Sequence, residues 1–181
     1  MTPAFEGIEV RASPIDGLGM FAVRPFAPGE RILRRVYVRD ITPDAPIRED
    51  IGEHEYHCDD LAGGRIVLLS WPDRHFNHRC DPSAYAAHLD DGHFVVARRH
   101  IAAGEEITND YAINGSGTDT WQCNCGVPSC RRTIHSDFFH LPFDKQAEYL
   151  SLLADWYVAE HVEDVRVLRE RISAGEVTRL P

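Results

Sequence analysis

The chain has 181 residues, a formal net charge of -10 and 43% hydrophobic residues. This length and composition predict one domain with an appendage and exclude a disordered chain. The negative charge disfavours direct nucleic-acid binding, because phosphate contacts need clustered Lys or Arg, and it is compatible with a basic protein partner. No apolar run approaches the ~20 residues that span a bilayer, and no signal peptide pattern opens the chain, so we expect a soluble, cytoplasmic protein without a membrane segment.

Short β-rich segments fill the first two-thirds of the sequence. Branched and aromatic residues separated by glycine and proline predict strands in 7–13, 19–24, 31–38 and 65–70. Further along, 83–101 is typical of a hairpin that turns at Asp91-Gly92, and strand sequence resumes at 107–113 after a turn at Gly104. The acidic, proline-rich stretch 40–53 predicts a loop with one short helix.

The last quarter of the sequence has helical periodicity. Tyr149, Leu150, Leu153, Trp156 and Tyr157 recur at spacings of three and four, which predicts an amphipathic helix over 144–161 whose aromatic residues belong to a core. A second helix over 162–175 carries Val162, Val165, Leu168 and Ile172 on one face and ends at a Gly175 cap.

Three of the five cysteines lie in CNCGVPSC, as Cys123, Cys125 and Cys130. Thiolates on a tight turn with glycine and proline are typical zinc ligands, and such clustering favours metal over disulfides. A tetrahedral site needs a fourth ligand, which Cys58, Cys80 or a histidine could supply. Cys58 has the surroundings of a buried structural thiol.

Two further motifs are weak by themselves. Gly17-Leu18-Gly19 sits between two predicted strands, where paired glycines allow close approach to a ligand but a plain turn serves equally well. The segment 104–111, GEEITNDY, reads as a turn and a strand that ends in Tyr111. A tyrosine in such a place is usually half-buried packing.

The order of four motifs is more specific than any one of them. Gly-x-Gly, then Arg-x-x-Asn-His-x-Cys-x-Pro from Arg74, then Gly-Glu-Glu-Ile-Thr-x-Asp-Tyr, then Cys-x-Cys-x4-Cys resembles the SET-domain family with its post-SET zinc segment, over roughly residues 6–135. The resemblance implies a mainly β fold of small sheets (a β-clip) with C-terminal α-helices, a pseudoknot and a four-cysteine zinc segment. It further implies a SET domain over 1–120, the post-SET segment over 121–135 and a helical extension over 136–181. The compact length is similar to that of stand-alone bacterial members.

The resemblance also implies an activity and its residues. SET domains are S-adenosylmethionine-dependent protein-lysine N-methyltransferases. By similarity Tyr111 is the catalytic tyrosine, and Cys80 is the fourth ligand of a structural zinc beside Cys123, Cys125 and Cys130. The cofactor-binding residues implied are Gly17, Leu18, Gly19, Tyr56, Arg74, Asn77, His78 and Tyr111. The partner is a protein with an accessible lysine, and the oligomeric state is left open.

Departures from the family pattern keep alternatives open. Arg79 and Ser83 stand where the family usually has Ser and Asn, and Asn109 stands where an aromatic residue often tunes the number of methyl groups added. A zinc-stabilised interaction module that has lost activity is therefore the alternative function. A metallohydrolase built on His75, His78 and Cys80 is a weaker hypothesis, because it leaves the three-cysteine cluster unexplained.

Overall fold

The computed structural model describes residues 5–176. Its strands are β1 (Ile8–Ala12), β2 (Leu18–Ala22), β3 (Arg31–Arg34), β4 (Tyr37–Ile41), β5 (Cys58–Leu61), β6 (Arg65–Leu69), β7 (Ala84–Leu89), β8 (Gly92–Ala97), β9 (Glu106–Ile107), β10 (Ser116–Gln122) and β11 (Thr133–Asp137). The α-helices are α1 (Phe143–Tyr149), α2 (Asp155–Glu160) and α3 (Val162–Ser173). The predicted fold class, mainly β with C-terminal helices, is confirmed.

The chain forms two compact units. The first consists of the chain up to Asp110 together with Asn124–Cys130, and the second of Tyr111–Cys123 together with the chain from Arg131 onward. The predicted domain limits at residues 120 and 135 stay a prediction, because compactness alone does not define a functional domain.

Three small antiparallel sheets build the first unit, with strand orders β1-β2-β9, β3-β8-β7 and β4-β6-β5. Strand β2 is central in its sheet, and all its residues after Leu18 are buried. Both faces of β2 are therefore covered directly after the turn that precedes it. The core around β2 consists of Ile8, Met20, Ala22, Phe26, Ile32, Phe76, Ala84, Val95, Ala97, Ile101 and Ile107.

The predicted strand over 31–38 is two strands in different sheets. Between β3 and β4 lies Arg35, whose buried guanidinium donates to Asp73 at 2.9 Å and to Asp59 at 2.7 Å. A buried charge must be paired. The ion pairs therefore hold the Arg35 side chain in the interior and interrupt what would otherwise be one continuous strand. Alternating branched residues on either side of Arg35 do not reveal that anchor.

The predicted hairpin over 83–101 is formed by β7 and β8, but its turn is one residue away from the predicted position. Leu89 pairs with Gly92, so Asp90 and Asp91 form the two-residue loop and Gly92 begins β8. Strand β9, after the predicted turn at Gly104, is only two residues long.

A group of aromatic and imidazole rings covers part of these sheets. The Tyr37 hydroxyl forms a short hydrogen bond with Nδ1 of His93, and the His93 ring centroid lies 4.1 Å from that of His88. Burial, helped by His93 and by the Arg35 guanidinium, lowers the pKa of His88 to about 4. Burial likewise raises the pKa of Tyr37 to about 12. His88 is therefore neutral in the folded protein at neutral pH.

We expect His88 to weaken the fold on mild acidification. Its folded pKa lies below the unfolded value of about 6.5, so between pH 6.5 and 4 the unfolded chain binds a proton that the folded chain does not. From pH 7.5 to pH 5 the free energy of unfolding should fall by about 2 kcal/mol more in the wild type than in His88→Gln. Urea titrations of both proteins at the two pH values measure this difference. Equal losses in the two proteins would contradict the assignment.

The second unit begins with a hairpin that sequence periodicity does not predict. Strands β10 and β11 pair antiparallel, with Trp121 opposite Ile134. The sequence of β10, SGTDTWQ, is polar and mostly exposed, so it lacks the alternation that signals a half-buried strand.

The single helix predicted over 144–161 is wrong. Helix α1 ends at Tyr149, a 3-10 turn covers Leu150–Leu152, and α2 begins at Asp155. The Ala154 N–H donates at 2.7 Å to Oδ1 of Asn114, a side chain far away in sequence, so it is not available to continue the helix. Tyr149 and Tyr157 are fully buried, as predicted for a core, whereas Trp156 is half-buried.

Helix α3 agrees with the prediction apart from its first residue. Val165 and Leu168 are buried, whereas Val162 is 67% exposed. The Gly175 N–H donates to Ile172 O at 3.0 Å, and its φ of 73° is the left-handed conformation expected of a glycine cap. Among residues 5–176, no helix is long and apolar enough to cross a membrane.

Candidate active site and metal centre

Four cysteine side chains come together in one group. The Sγ atoms of Cys80, Cys123, Cys125 and Cys130 all lie within 4.8 Å of one another, and Cys80 and Cys125 are buried. Thiolates bound tetrahedrally to zinc at about 2.3 Å would be about 3.8 Å apart, so the group fits a zinc ion. Four thiolates leave no open coordination position, so a zinc ion held here would be structural.

Local turns shape the loop that carries three of these cysteines. Gly126 adopts a φ of 71°, and the Cys130 N–H donates to Val127 O at 3.0 Å. Cys58 is outside the group: its Sγ lies 3.9 Å from His54 O, and burial raises the pKa of its thiol. The sequence predicts a buried structural thiol at position 58, whereas the structure leaves Cys58 half-buried.

Asn77 is tied to the turn that precedes β2. Its Nδ2 lies 3.1 Å from Asp16 O, 3.0 Å from Leu18 O and 3.0 Å from Oε1 of Glu106. Three acceptors surround the amide nitrogen, which fixes the orientation of the amide and directs Oδ1 away from them. The structure thus brings the Gly17-Leu18-Gly19 turn and Asn77 together, as the resemblance implies.

Glu106 lies directly behind this turn. It is 8% exposed, and its Oε1 accepts from Ser13 Oγ at 2.8 Å as well as from Asn77. A Cβ atom at Gly19 would fall 2.2 Å from Glu106 Oε1, so position 19 has no room for a side chain. Gly17 has a φ of 43° and open space around it, while Leu18 is 41% exposed. A close-packed inner side and an open outer side suit a turn that lies along a ligand.

His78 joins the segment of Asn77 to the segment that leads to Tyr111. His78 and Asn109 form a parallel bridge, in which Asn109 N donates to Asn77 O at 2.9 Å and Arg79 N donates to Asn109 O at 2.7 Å. The His78 ring contacts both the four-cysteine group and the residue before Tyr111. Its Nε2 lies 3.5 Å from Cys80 Sγ, and its Nδ1 lies 3.7 Å from Oδ1 of Asp110.

A second group of rings surrounds Arg74. Its guanidinium lies 5.5 Å from the Trp71 ring, the Trp71 and His75 centroids are 4.6 Å apart, and those of His75 and His57 are 5.8 Å apart. Within residues 5–176, four buried nitrogens of this group have no hydrogen-bond partner: Arg74 Nε, Trp71 Nε1, His57 Nδ1 and His75 Nε2. Buried polar atoms are normally satisfied, so the group is a candidate contact for a polar part of a ligand. Burial first, then Arg74 and His75, lower the pKa of His57 to about 4.

Tyr56 and Tyr111 are both exposed. Tyr56 is 73% exposed, and its ring contacts are His54 and His57, with centroids 4.7 and 4.6 Å away, not the turn before β2. Tyr111 opens the second unit, follows Asp110 directly in the chain and is 41% exposed. Its ring centroid lies 6.0 Å from that of Trp121 in the same unit.

Comparison with known families decides the identity of the fold. The family model described as "SET domain" matches residues 17–112, which is more than half of the chain and includes the turn, Asn77, Glu106 and Tyr111. The chain belongs to the SET-domain family.

Relatives of this SET domain are much longer proteins. The human "Histone-lysine N-methyltransferase 2B" is 28% identical over 72% of this chain and 5% of its own length. The H3 lysine-4 specific histone-lysine N-methyltransferase of Eremothecium gossypii is 31% identical over 66% of this chain and 14% of its own length. The H3 lysine-36 specific enzyme of Emericella nidulans is 27% identical over 63% of this chain and 13% of its own length. The chain therefore spans only a small part of each of these relatives.

Sequence reasoning missed several residues of this SET domain. Glu106 lies inside the GEEIT motif, and the sequence alone assigns it no role. A carboxylate in a strand is expected on the exposed face, and only the structure shows its partners Ser13 and Asn77. His57 and Trp71 were also missed, since no spacing links them, and His75 was considered only as a metal ligand of the metallohydrolase hypothesis. The roles predicted for Gly17, Leu18, Gly19, Tyr56, Arg74, Asn77, His78 and Tyr111 stay predictions.

Proposed function

We propose that this chain is an S-adenosylmethionine-dependent protein-lysine N-methyltransferase. Its SET-domain family membership, with relatives named histone-lysine N-methyltransferases, supports the reaction class. The observation that carries the proposal is the contact of the Asn77 amide with Asp16 O and Leu18 O, since it joins two motifs of the predicted cofactor site.

The residues around the turn fit the methionine end of the cofactor. Gly17, Leu18 and Gly19 would line it with backbone, and Asn77 would present Oδ1 as an acceptor. Arg74, with its unpartnered buried Nε, would contact a polar or anionic group of the same ligand. When bound, the cofactor supplies a methyl group on a positively charged sulfur, which a neutral amine can accept directly.

Tyr111 would orient the substrate amine. Transfer requires an uncharged lysine, whose pKa of about 10.4 is lowered by removal from water. A tyrosine hydroxyl can hydrogen-bond to a neutral amine and hold its lone pair in line with the methyl group, so positioning supplies the rate enhancement without a strong general base. Tyr111 directly follows Asp110, the residue beside the His78 ring, in the chain.

The zinc ion would stabilise the fold without taking part in the chemistry. Cys80 is two residues from His78, so a metal held by the four cysteines would also fix the segment that carries Asn77 and His78. For the substrate we propose a basic protein with an accessible lysine, because the chain carries a net charge of -10 and the relatives are named for histone H3 lysines.

Methyl transfer into a lysate tests this proposal. Purified protein incubated with methyl-labelled S-adenosylmethionine and a lysate should label at least one protein band, on lysine. Excess S-adenosylhomocysteine should suppress the label, because it competes for the same site. Mass spectrometry of the labelled band then identifies the residue.

Calorimetry on the purified protein separates the alternatives. Cofactor binding without transfer to any protein would support the interaction module instead. Absence of both binding and transfer would reject the proposed function.

A further inference from the structure

Glu106 is a buried carboxylate without a counter-charge. It is 8% exposed, and its two side-chain donors, Ser13 Oγ and Asn77 Nδ2, are both neutral and both reach Oε1. In the part of the chain that the structure describes, Glu106 forms no ion pair and Oε2 accepts no hydrogen bond. By contrast, buried Asp73 is paired with Arg35 and buried Glu53 with Arg39. Burying an unpaired carboxylate is costly, so a cationic partner from outside the chain would be strongly favoured.

The carboxylate lies directly against the turn. Glu106 of β9 is opposite Phe21 of β2, and its Oε1 occupies the space that a side chain at position 19 would fill. Asn77, which is also a predicted cofactor contact, donates to the same carboxylate. The charge of Glu106 therefore acts at the Gly17–Gly19 turn and at Asn77.

We propose that Glu106 is the counter-charge for the α-ammonium group at the methionine end of the cofactor. This inference rests on the proposed function, which places S-adenosylmethionine along the turn. The cofactor has two cationic centres, but only the ammonium has N–H groups to donate to a carboxylate, whereas the sulfonium has none. Oε2 of Glu106 and Oδ1 of Asn77 are the two acceptors available to it. The carboxylate thus has a direct binding role besides orienting Asn77.

Glu106→Gln tests the charge while keeping the shape. The amide oxygen of glutamine can still accept from Ser13 and Asn77, so the turn should keep its structure. Three ligands are titrated by calorimetry: S-adenosylmethionine and S-adenosylhomocysteine, which have the ammonium, and 5′-methylthioadenosine, which lacks the amino-acid part. We expect Glu106→Gln to weaken S-adenosylhomocysteine binding about 10- to 30-fold, because a charged hydrogen bond is lost. Binding of 5′-methylthioadenosine should change less than about two-fold.

Glu105→Gln is the matched control. Glu105 is adjacent in sequence but accepts from Ala102 N at 3.0 Å and pairs with Arg99 at 2.6 Å, away from Asn77. It should leave the affinity for all three ligands unchanged. If Glu106→Gln does not fold, Glu106→Asp, which keeps the charge, is titrated instead and should weaken S-adenosylhomocysteine alone by about three-fold.

Several outcomes would overturn the proposal. Unchanged S-adenosylhomocysteine binding in Glu106→Gln would show that Glu106 does not contact the ammonium. Equal losses of affinity for S-adenosylhomocysteine and 5′-methylthioadenosine would indicate a merely structural role. A loss for S-adenosylmethionine that S-adenosylhomocysteine does not share would assign the charge to the sulfonium instead. Failure of the proposed function is distinct: a wild type that binds none of the three ligands has no cofactor site, and a wild type that binds them without transferring a methyl group keeps the ammonium contact testable.

Discussion

Tyr111→Phe should lower methyl transfer about 100- to 1000-fold and leave cofactor affinity within about two-fold, in keeping with the usual effect of removing one catalytic hydroxyl. The substitution removes only the group that would orient the lysine amine. The ring of Tyr111 is 41% exposed and packs beside Trp121, and phenylalanine keeps that packing. The loss should therefore appear in kcat with the folded structure intact.

Labelled transfer and calorimetry on the same preparations measure this prediction. Tyr85→Phe is a suitable control, because Tyr85 is half-buried on β7 in a separate apolar cluster and should retain full activity. If Tyr111→Phe transfers methyl groups at the wild-type rate, the Tyr111 hydroxyl has no catalytic role. A parallel loss in both variants would point to general sensitivity of the fold to losing a tyrosine hydroxyl.

Cys80→Ser should reduce bound zinc from one per chain to nearly none and destabilise the fold by about 3 kcal/mol or more, as losses of structural metal sites usually do. Cys80 is 2% exposed and its Sγ belongs to the four-cysteine group, so a serine there leaves the remaining thiolates with an incomplete tetrahedron. The His78 ring, 3.5 Å from Cys80 Sγ, would lose that neighbour, and we expect cofactor affinity to fall as well.

Metal analysis, chemical unfolding and calorimetry measure the three parts of this prediction. Cys58→Ser is the matched control, because Cys58 lies outside the four-cysteine group and should leave one zinc per chain. Full zinc occupancy in Cys80→Ser would exclude Cys80 as a ligand. A wild type that binds no zinc would refute the whole site.

Much of this site follows from local sequence, and the rest depends on long-range contacts. The cluster Cys123, Cys125 and Cys130 is visible because its members are close in sequence, whereas Cys80 is named only through family resemblance. Glu106 is the opposite case, since nothing local distinguishes it from the half-buried, ion-paired Glu105 one residue earlier. Its burial depends on Ser13 and Asn77, which are 93 and 29 residues away.

The fold shows the same division. Strands β2 and β6 follow from short apolar runs between turns, because several residues of each run are buried. The break between α1 and α2 does not, since it depends on Asn114 taking the Ala154 N–H from 40 residues away. The split of β3 from β4 depends in the same way on Asp73 and Asp59 pairing with Arg35.

The chain contains a single lysine, and this scarcity has a practical consequence. Eighteen of its nineteen basic residues are arginine, and Lys145 alone carries an ε-amine. That amine forms an ion pair with Glu148 at 2.7 Å and lies 5.5 Å from the centre of the Tyr149 ring. An enzyme that acts on lysines would thus present almost no internal competitor to its own substrate. Any label on a lysine of the enzyme itself would have to be on Lys145. The variant Lys145→Arg should therefore carry no lysine label of its own, so that all lysine label in an assay belongs to the substrate.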